Sequence, residues 1–341
     1  MHALILATAA VVSPWGGAGP SNPQAVCGTW ALQQVSSVAE LRRLEPASID
    51  PALRTPGLRG FSLRVPWHTV EEDFSLLEAG LEIARRHKVA YSVRFMAGRH
   101  TPRQVFEKGC RFYERPARNG DSARSKVPAP FLADGSPNAV FEAAYEKLTE
   151  RLARWCRANG VRLLHMAWYG QEWAELNHGK EVRALEGYTY AHWLRAHTRL
   201  MDIAFRHAGD DLAVEYPMSG YGPLTQAAMD LTAHAEGRLG AWSPRFFFQA
   251  NGWGPNGDWG APTAATEAAF DRAWARPLFR GQQAIQPQDY DWAALFGLLR
   301  RNRATYCEVY LPSFRLARRA LLAQEIARFA GQGVSGSDRR P

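Results

Sequence analysis

Cysteine is scarce and badly arranged for its usual structural tasks. The four residues Cys27, Cys110, Cys156 and Cys307 form no CxxC pair and no Cys/His set at metal-ligand spacing, which argues against the common zinc frameworks. Cys156 falls on an apolar helix face and Cys307 inside a candidate core strand, where free thiols behave as small hydrophobes. Cys27 and Cys110 are left as the one pair open to a disulfide. His68, His100, His165 and His178 are scattered one per segment, so no metal site is expected. No GxGxxG or GxxxxGK[ST] turn is present to cradle a phosphate, and no GxSxG elbow to expose a nucleophilic serine.

Runs of one kind are missing too. The net charge is +8, but the basic residues stand singly or as pairs such as Arg85/Arg86, Arg300/Arg301 and Arg318/Arg319. That scatter lacks the clustered footprint of a nucleic-acid binder, and no nucleic acid is expected as a partner. No apolar run reaches the roughly 20 residues that a membrane span requires. The opening MHALILATAAVV has signal-peptide length, yet no Lys or Arg precedes it and no clean A-x-A site follows. Residues 1–24 are therefore read as either a weak secretory signal or a disordered segment, and the chain as either secreted or cytoplasmic.

What is present is length and alternation. A chain of 341 residues, 46% hydrophobic and 22% charged, fits one large α/β barrel or two average domains. From residue 61 onward, short β-branched or aromatic runs alternate with amphipathic helical stretches, the pattern of βα units around a parallel sheet. The strands read as FSLRVPW, AYSVRFMAG, VRLLHMAWYG, LAVEYPMSG, RFFFQANG, GQQAIQ and TYCEVYLPS. TWALQQV (29–35), followed by the helical VAELRRL, supplies an eighth, the number that closes a barrel. The missing Gly-rich turn counts against an open doubly wound sheet. The expectation is a single (β/α)8 TIM-barrel domain over 25–332, with a long polar loop at about 99–138 and a disordered tail at 333–341.

In such a barrel the site gathers at the C-terminal ends of the strands. Collected in chain order, those ends carry Trp67 and His68; Arg94, Arg99 and His100; Tyr169, Gln171, Glu172 and Glu175; Glu215 and Tyr216; Gln249, Asn251, Trp253 and Trp259; Gln283 and Gln286; and Glu308 and Tyr310. Amides and guanidiniums hydrogen-bond vicinal hydroxyls, and aromatic faces cover the C–H side of a pyranose, so the collection suits a carbohydrate. Several of the 12 tryptophans fall in Gly-rich loops, notably GWGPNGDWG (252–260), where a core role is less expected. In TYCEVYLPS, strand alternation sets Glu308 on the face opposite Cys307 and Val309. A carboxylate pointing into the barrel is costly unless it has a partner or a task; Arg64 and Arg94 are the candidate ion-pair partners.

The stretch GFSLRVPWHTVEEDFSLLEAGLEIARRHKVAYSVRFMAG resembles the second and third βα units of the large clan of (β/α)8-barrel glycosidases that includes β-galactosidases and endoglycanases. The resemblance extends in pattern over roughly residues 60–313. In that clan the fourth strand ends in Asn-Glu, with the Glu as acid/base, and Gln171-Glu172 stands at the corresponding step. The clan's nucleophilic Glu ends strand seven, whereas GQQAIQ offers only amides, so the next acidic candidate is Glu308. The resemblance implies glycoside hydrolysis by a pair of carboxylates, at about 5–5.5 Å for retention or about 6.5–9.5 Å for inversion. Glu172 and Glu308 are the expected pair, with Glu175 as the other candidate acid/base. Trp67, His68, Arg94, Tyr169, Tyr216, Gln249, Asn251, Trp253, Trp259, Gln283 and Tyr310 would bind the sugar, and no cofactor is implied. A glycan-binding barrel without catalysis is the second reading. A third is an enzyme for anionic substrates that meet Arg94, Arg99 and His100.

Overall fold

The computed structural model describes residues 26–115, 125–170, 175–176, 178–219, 225–240, 243, 245–253, 279–284, 289–301 and 303–331. Its frame is a parallel sheet of β1 (Gly28–Gln34), β2 (Gly60–Pro66), β3 (Ala90–Met96), β6 (Leu163–His165), β7 (Ala213–Ser219), β8 (Phe246–Trp253), β9 (Phe279–Ala284) and β10 (Tyr306–Tyr310). A separate antiparallel hairpin holds β4 (Phe112–Arg115) and β5 (Ser125–Pro128). The parallel strands run in the order β1-β10-β9-β8-β7-β6-β3-β2, and β1 pairs with both β10 and β2, so the curled sheet closes through its hydrogen bonds. TWALQQV thus bonds to FSLRVPW on one side and to TYCEVYLPS on the other, as expected.

Seven of the strands are followed by a described helix: Val38–Leu44, Ser75–Arg86, Ala139–Ala158, Tyr190–Ala208, Thr225–Leu239, Trp292–Arg301 and Arg319–Gly331. The helix expected at TAATEAAFDRAWA, between β8 and β9, lies outside the described residues. Capping starts several of the others. Ser37, Asn138 and Thr189 each accept a backbone N–H from the first turn, at Glu40, Phe141 and His192 respectively. Past the end of the 20-residue helix, Gly160 turns the chain at φ +70°, a conformation open to glycine at little cost.

The 99–138 stretch is more ordered than its polar composition suggests. It contains the helix Arg103–Glu107 and the β4–β5 hairpin, and Asn138 Nδ2 ties that hairpin to the next helix by donating to Ala129 O (2.8 Å) and Arg111 O (2.9 Å). All four cysteines are free, so the open Cys27–Cys110 pairing is not formed. Among the described residues, no helix is long and apolar enough to cross a membrane.

Strand alternation divides the core in two. Outward residues such as Phe61, Leu63, Val65, Val93, Phe95, Val214, Phe246, Phe248, Cys307 and Val309 meet the helices in one large apolar layer. Inside the ring, the N-terminal ends of the strands enclose a second, smaller cluster: Val26, Trp30, Ala90, Leu163, Ala213, Phe247 and Tyr306. Trp30 fills that space so fully that a Cβ on Gly60 would stand 2.2 Å from its ring. The barrel floor is therefore sealed, and inward side chains two residues further along each strand, about 6.6 Å higher, form the next layer.

Candidate functional site

That next layer is charged. Two residues beyond Ala90, Leu163, Ala213, Phe247 and Tyr306, on the same inward face, come Ser92, His165, Glu215, Gln249 and Glu308, with Arg94 two residues above Ser92; all are fully buried. Register explains part of the grouping, because Arg64, Arg94, His165 and Glu215 are successive neighbours across β2, β3, β6 and β7. Arg94 Nη2 lies 2.8 Å from Glu308 Oε2 and 3.4 Å from Glu215 Oε2. His165 Nδ1 is 3.0 Å from the same Nη2 and is also hydrogen-bonded to Glu215 Oε2. A guanidinium can only donate, so Nδ1 serves Arg94 as an acceptor or Glu215 as a donor, and not both at once. Across the ring, His165 Nε2 faces Ser92 Oγ (3.2 Å), Tyr306 Oη (3.3 Å) and Glu308 Oε1 (3.6 Å).

Glu308 is surrounded. Tyr306 Oη donates to Oε1 (2.9 Å), while Arg94 and Gln249 Nε2 (2.9 Å) donate to Oε2. Burial pushes its carboxyl upward, but Arg94 above all, with His165 and Gln249, outweighs that effect and brings it down to about 2. Burial likewise opposes the charge on Arg94, and Glu308 and Glu215 overcome it and raise the guanidinium's pKa. The Tyr306 hydroxyl is pushed well up by burial, then by Glu308, so it serves as a proton-bearing donor. The layer holds an ionised Glu308 at neutral pH.

A chain of amides leads from Glu308 to the barrel mouth. Gln249 Nε2 also donates to Asn251 Oδ1 (2.8 Å), and Asn251 Nδ2 donates to Glu175 Oε1 (2.6 Å). Glu175 stands in the segment after β6, with a side chain 20% exposed, and its Oε1 is 3.8 Å from Arg64 Nη2. Arg64 Nη1 donates to Tyr310 Oη (3.1 Å). Glu175, Asn251, Arg64 and Tyr310 thus lie beyond Glu308 toward the C-terminal ends of the strands.

Of the residues expected at the site, the structure brings Glu308, Arg94, Gln249, Asn251, Glu175 and Tyr310 together. Trp67, Tyr169 and Tyr216 go elsewhere. Trp67 is fully buried edge-on to Phe95, Phe141 and Tyr145, with its Nε1 on Glu71 Oε2 (2.7 Å). Tyr169 lies 4.5 Å from Phe141, centroid to centroid, and Tyr216 lies 4.1 Å from Trp168 with its hydroxyl on Tyr145 and Leu200 O. These three rings belong to the layer between sheet and helices, so no face of theirs is presented to the barrel mouth. His68 is exposed beside His100, whose carbonyl is 3.3 Å from its Nδ1. Glu172 and Trp259 lie outside the described residues, as do the side chains of Trp253 and Gln283. Arg94 is buried between two carboxylates, which removes it from the anion-binding set imagined with Arg99 and His100.

Sequence reasoning left His165, Tyr306 and Ser92 out of the site. Each stands two residues from, or in register beside, an inward charged residue, and that spacing was the available signal. Among the described residues, no group of three His, Cys, Asp or Glu is placed to hold a metal ion.

No family model matches the chain, and no curated protein matches it. Solved structures similar to it include an L-ribulose 3-epimerase, at 11% identity over 92% of this chain and 96% of that one, with a TM-score of 0.50. Xylanase 10B from Thermotoga maritima follows at 8% identity, 92% and 98% coverage and a TM-score of 0.49. A GH18 chitinase from Pseudoalteromonas aurantia stands at 10% identity, 89% and 99% coverage and a TM-score of 0.48. Glycoside hydrolases are thus among the structural neighbours, beside sugar epimerases. At such identities the likeness is one of fold.

Proposed function

We propose that the chain is a (β/α)8-barrel enzyme acting on carbohydrate and hydrolysing O-glycosidic bonds with two carboxyls. The observation that carries this reading is the linked pair toward the strand ends: Glu308, held ionised inside the barrel, and the partly exposed Glu175, joined to it through Gln249 and Asn251. Hydrolysis needs one carboxyl that gives a proton to the departing oxygen and one that attacks the anomeric carbon or takes a proton from water. Glu308 fits the ionised role and Glu175 the proton donor. Arg64, Asn251 and Tyr310 offer the planar and hydroxyl groups that hold sugar hydroxyls. Glu172, in the same segment as Glu175, remains the other proposed donor.

One observation favours a second reading, a glycan-binding barrel without hydrolysis. Glu308 is fully buried and both of its oxygens are engaged by Arg94, Gln249 and Tyr306, an arrangement that also suits a purely structural ion pair. Assay on a panel of aryl glycosides and polysaccharides, with glycan-array binding in parallel, separates the two. Under the enzymatic reading, Glu308→Gln and Glu175→Gln each slow turnover by about two orders of magnitude or more. Binding with no hydrolysis of any panel member overturns it.

A further inference from the structure

We infer that His178 is a positioning residue for Glu175, fastening the segment that carries the proposed proton donor; this rests on the hydrolytic reading above. The side chain of Glu175 alone holds its carboxyl at one end. Oε1 accepts from Asn251 Nδ2 (2.6 Å) and faces Arg64 Nη2 (3.8 Å), while Oε2 has no hydrogen-bond partner among the described residues. A carboxyl engaged at one oxygen depends on its backbone for the rest of its placement.

That backbone is anchored just beyond Glu175. Leu176 is buried, and its N–H donates to Pro217 O of β7 (3.4 Å), the carbonyl that also takes Trp168 Nε1 (2.8 Å). Two positions further, His178 Nε2 and Tyr188 Oη share a hydrogen bond of 2.6 Å. The His178 ring lies 4.4 Å from that of Trp193, centroid to centroid; Trp193 lies 4.3 Å from His197, and His197 lies 5.5 Å from Trp168. The stack thus ends on the indole that shares a carbonyl with Leu176. Trp193 and His197 are fully buried on the helix Tyr190–Ala208, in close packing that yields little. The stretch after Glu175 is therefore gripped twice, by the sheet at Leu176 and by this helix at His178. General acid catalysis needs the donor within hydrogen-bond reach of the departing oxygen, and a misplacement of about 1 Å can cost about a hundredfold in rate. The rings that hold His178 belong to the layer outside the sheet, away from Glu308, so their loss acts on proton donation and leaves the ionised carboxylate in place.

The test compares kcat/KM of the full chain on the phenyl and dinitrophenyl glycosides of one sugar, the one turned over best in the panel assay. A dinitrophenolate departs without a proton, whereas a phenolate needs one. His178→Ala is expected to lower kcat/KM about tenfold to a hundredfold on the phenyl glycoside and by less than about threefold on the dinitrophenyl one. Tyr188→Phe removes the same hydrogen bond while keeping both rings, and should show the same leaving-group pattern at smaller size even if His178→Ala fails to fold. His178→Gln, whose amide can donate to Tyr188 Oη, should recover part of the loss. In a Glu175→Gln background, His178→Ala should have no further effect, because the two act through one group. No loss, equal losses on both glycosides, or a loss that persists in the Glu175→Gln background overturns the positioning role and leaves the hydrolytic reading intact. If Glu175→Gln itself shows no leaving-group dependence, Glu175 is not the donor and both fall.

Discussion

The two layers inside the barrel solve the same packing problem by opposite means. The lower one fills its space by shape: Trp30 against Gly60, with Ala90, Leu163, Ala213, Phe247 and Tyr306 around it. The upper one fills its space with Arg94, His165, Glu215, Gln249 and Glu308, groups that water would solvate better than protein does. A buried ion pair seldom stabilises more than well-packed apolar residues of the same volume would. The difference teaches where to look for purpose: the lower layer serves the fold alone, and the upper layer, lying toward the strand ends, gives up stability that a fold by itself would keep.

The largest effect should come from removing the cation of the upper layer. Arg94→Met leaves Glu308 and Glu215 buried without it and is expected to lower unfolding stability by about 3–5 kcal/mol in urea titrations. A loss below about 1 kcal/mol would mean that charge does not organise this layer. In the lower layer, Gly60→Ala forces a methyl into the Trp30 ring and should cost about 1–3 kcal/mol through overpacking, with sugar binding unchanged.

Acid separates the layers further, since the lower one contains no group that titrates in the acid range. In the unfolded chain Glu308 takes up its proton near the ordinary value of about 4.3, whereas in the fold it does so only at about 2. Its contribution is therefore complete above the ordinary carboxylate range and is lost as pH falls toward 2. His197, in the outer aromatic layer beside Trp168 and Trp193, gives an earlier limb. Burial lowers its pKa from 6.5 to about 3, so the unfolded state binds the proton first and stability declines on acidification between those values. Melting temperature measured from pH 7 to 2 should lose its upper limb in His197→Phe and its lower limb in Glu308→Gln. Retention of both limbs would detach them from these residues.

The smallest expected effect is at the mouth. Glu175→Gln keeps an acceptor for Asn251 at a partly exposed position and should change stability by no more than about 0.5 kcal/mol, while turnover falls as proposed above. A large loss of stability would place Glu175 with the structural ion pairs.

Much of the frame was legible because alternation is a local signal. Cys307 and Val309 announce Glu308 as their opposite, and the 20-residue helix ending near Gly160 stands where its apolar spacing sets it. The same parity, applied strictly, accounts for the aromatics that went elsewhere. Counted from inward Arg64, Trp67 falls on the outer face, and Tyr216, next to inward Glu215, must do so as well. His165 gave little warning because β6 is three residues long, too short to establish a period. No local pattern tells which arginine meets a glutamate 214 positions away; that contact exists only once the sheet has curled. The β4–β5 hairpin was hidden by the shortness and polarity of its strands, in which only a few residues such as Tyr113 and Val127 reach the apolar layer.

The alternation within β10 also bears on how the ring is closed. Were this strand to join β1 and β9 one residue out of step, Glu308 would turn into the apolar helix layer and the side chains of Cys307 and Val309 would meet Arg94. Either outcome strands a charge in hydrocarbon, so a one-residue slip of the closing strand is strongly disfavoured. Charge in the lumen thereby proofreads assembly, rejecting misaligned closures that an all-apolar interior would have admitted.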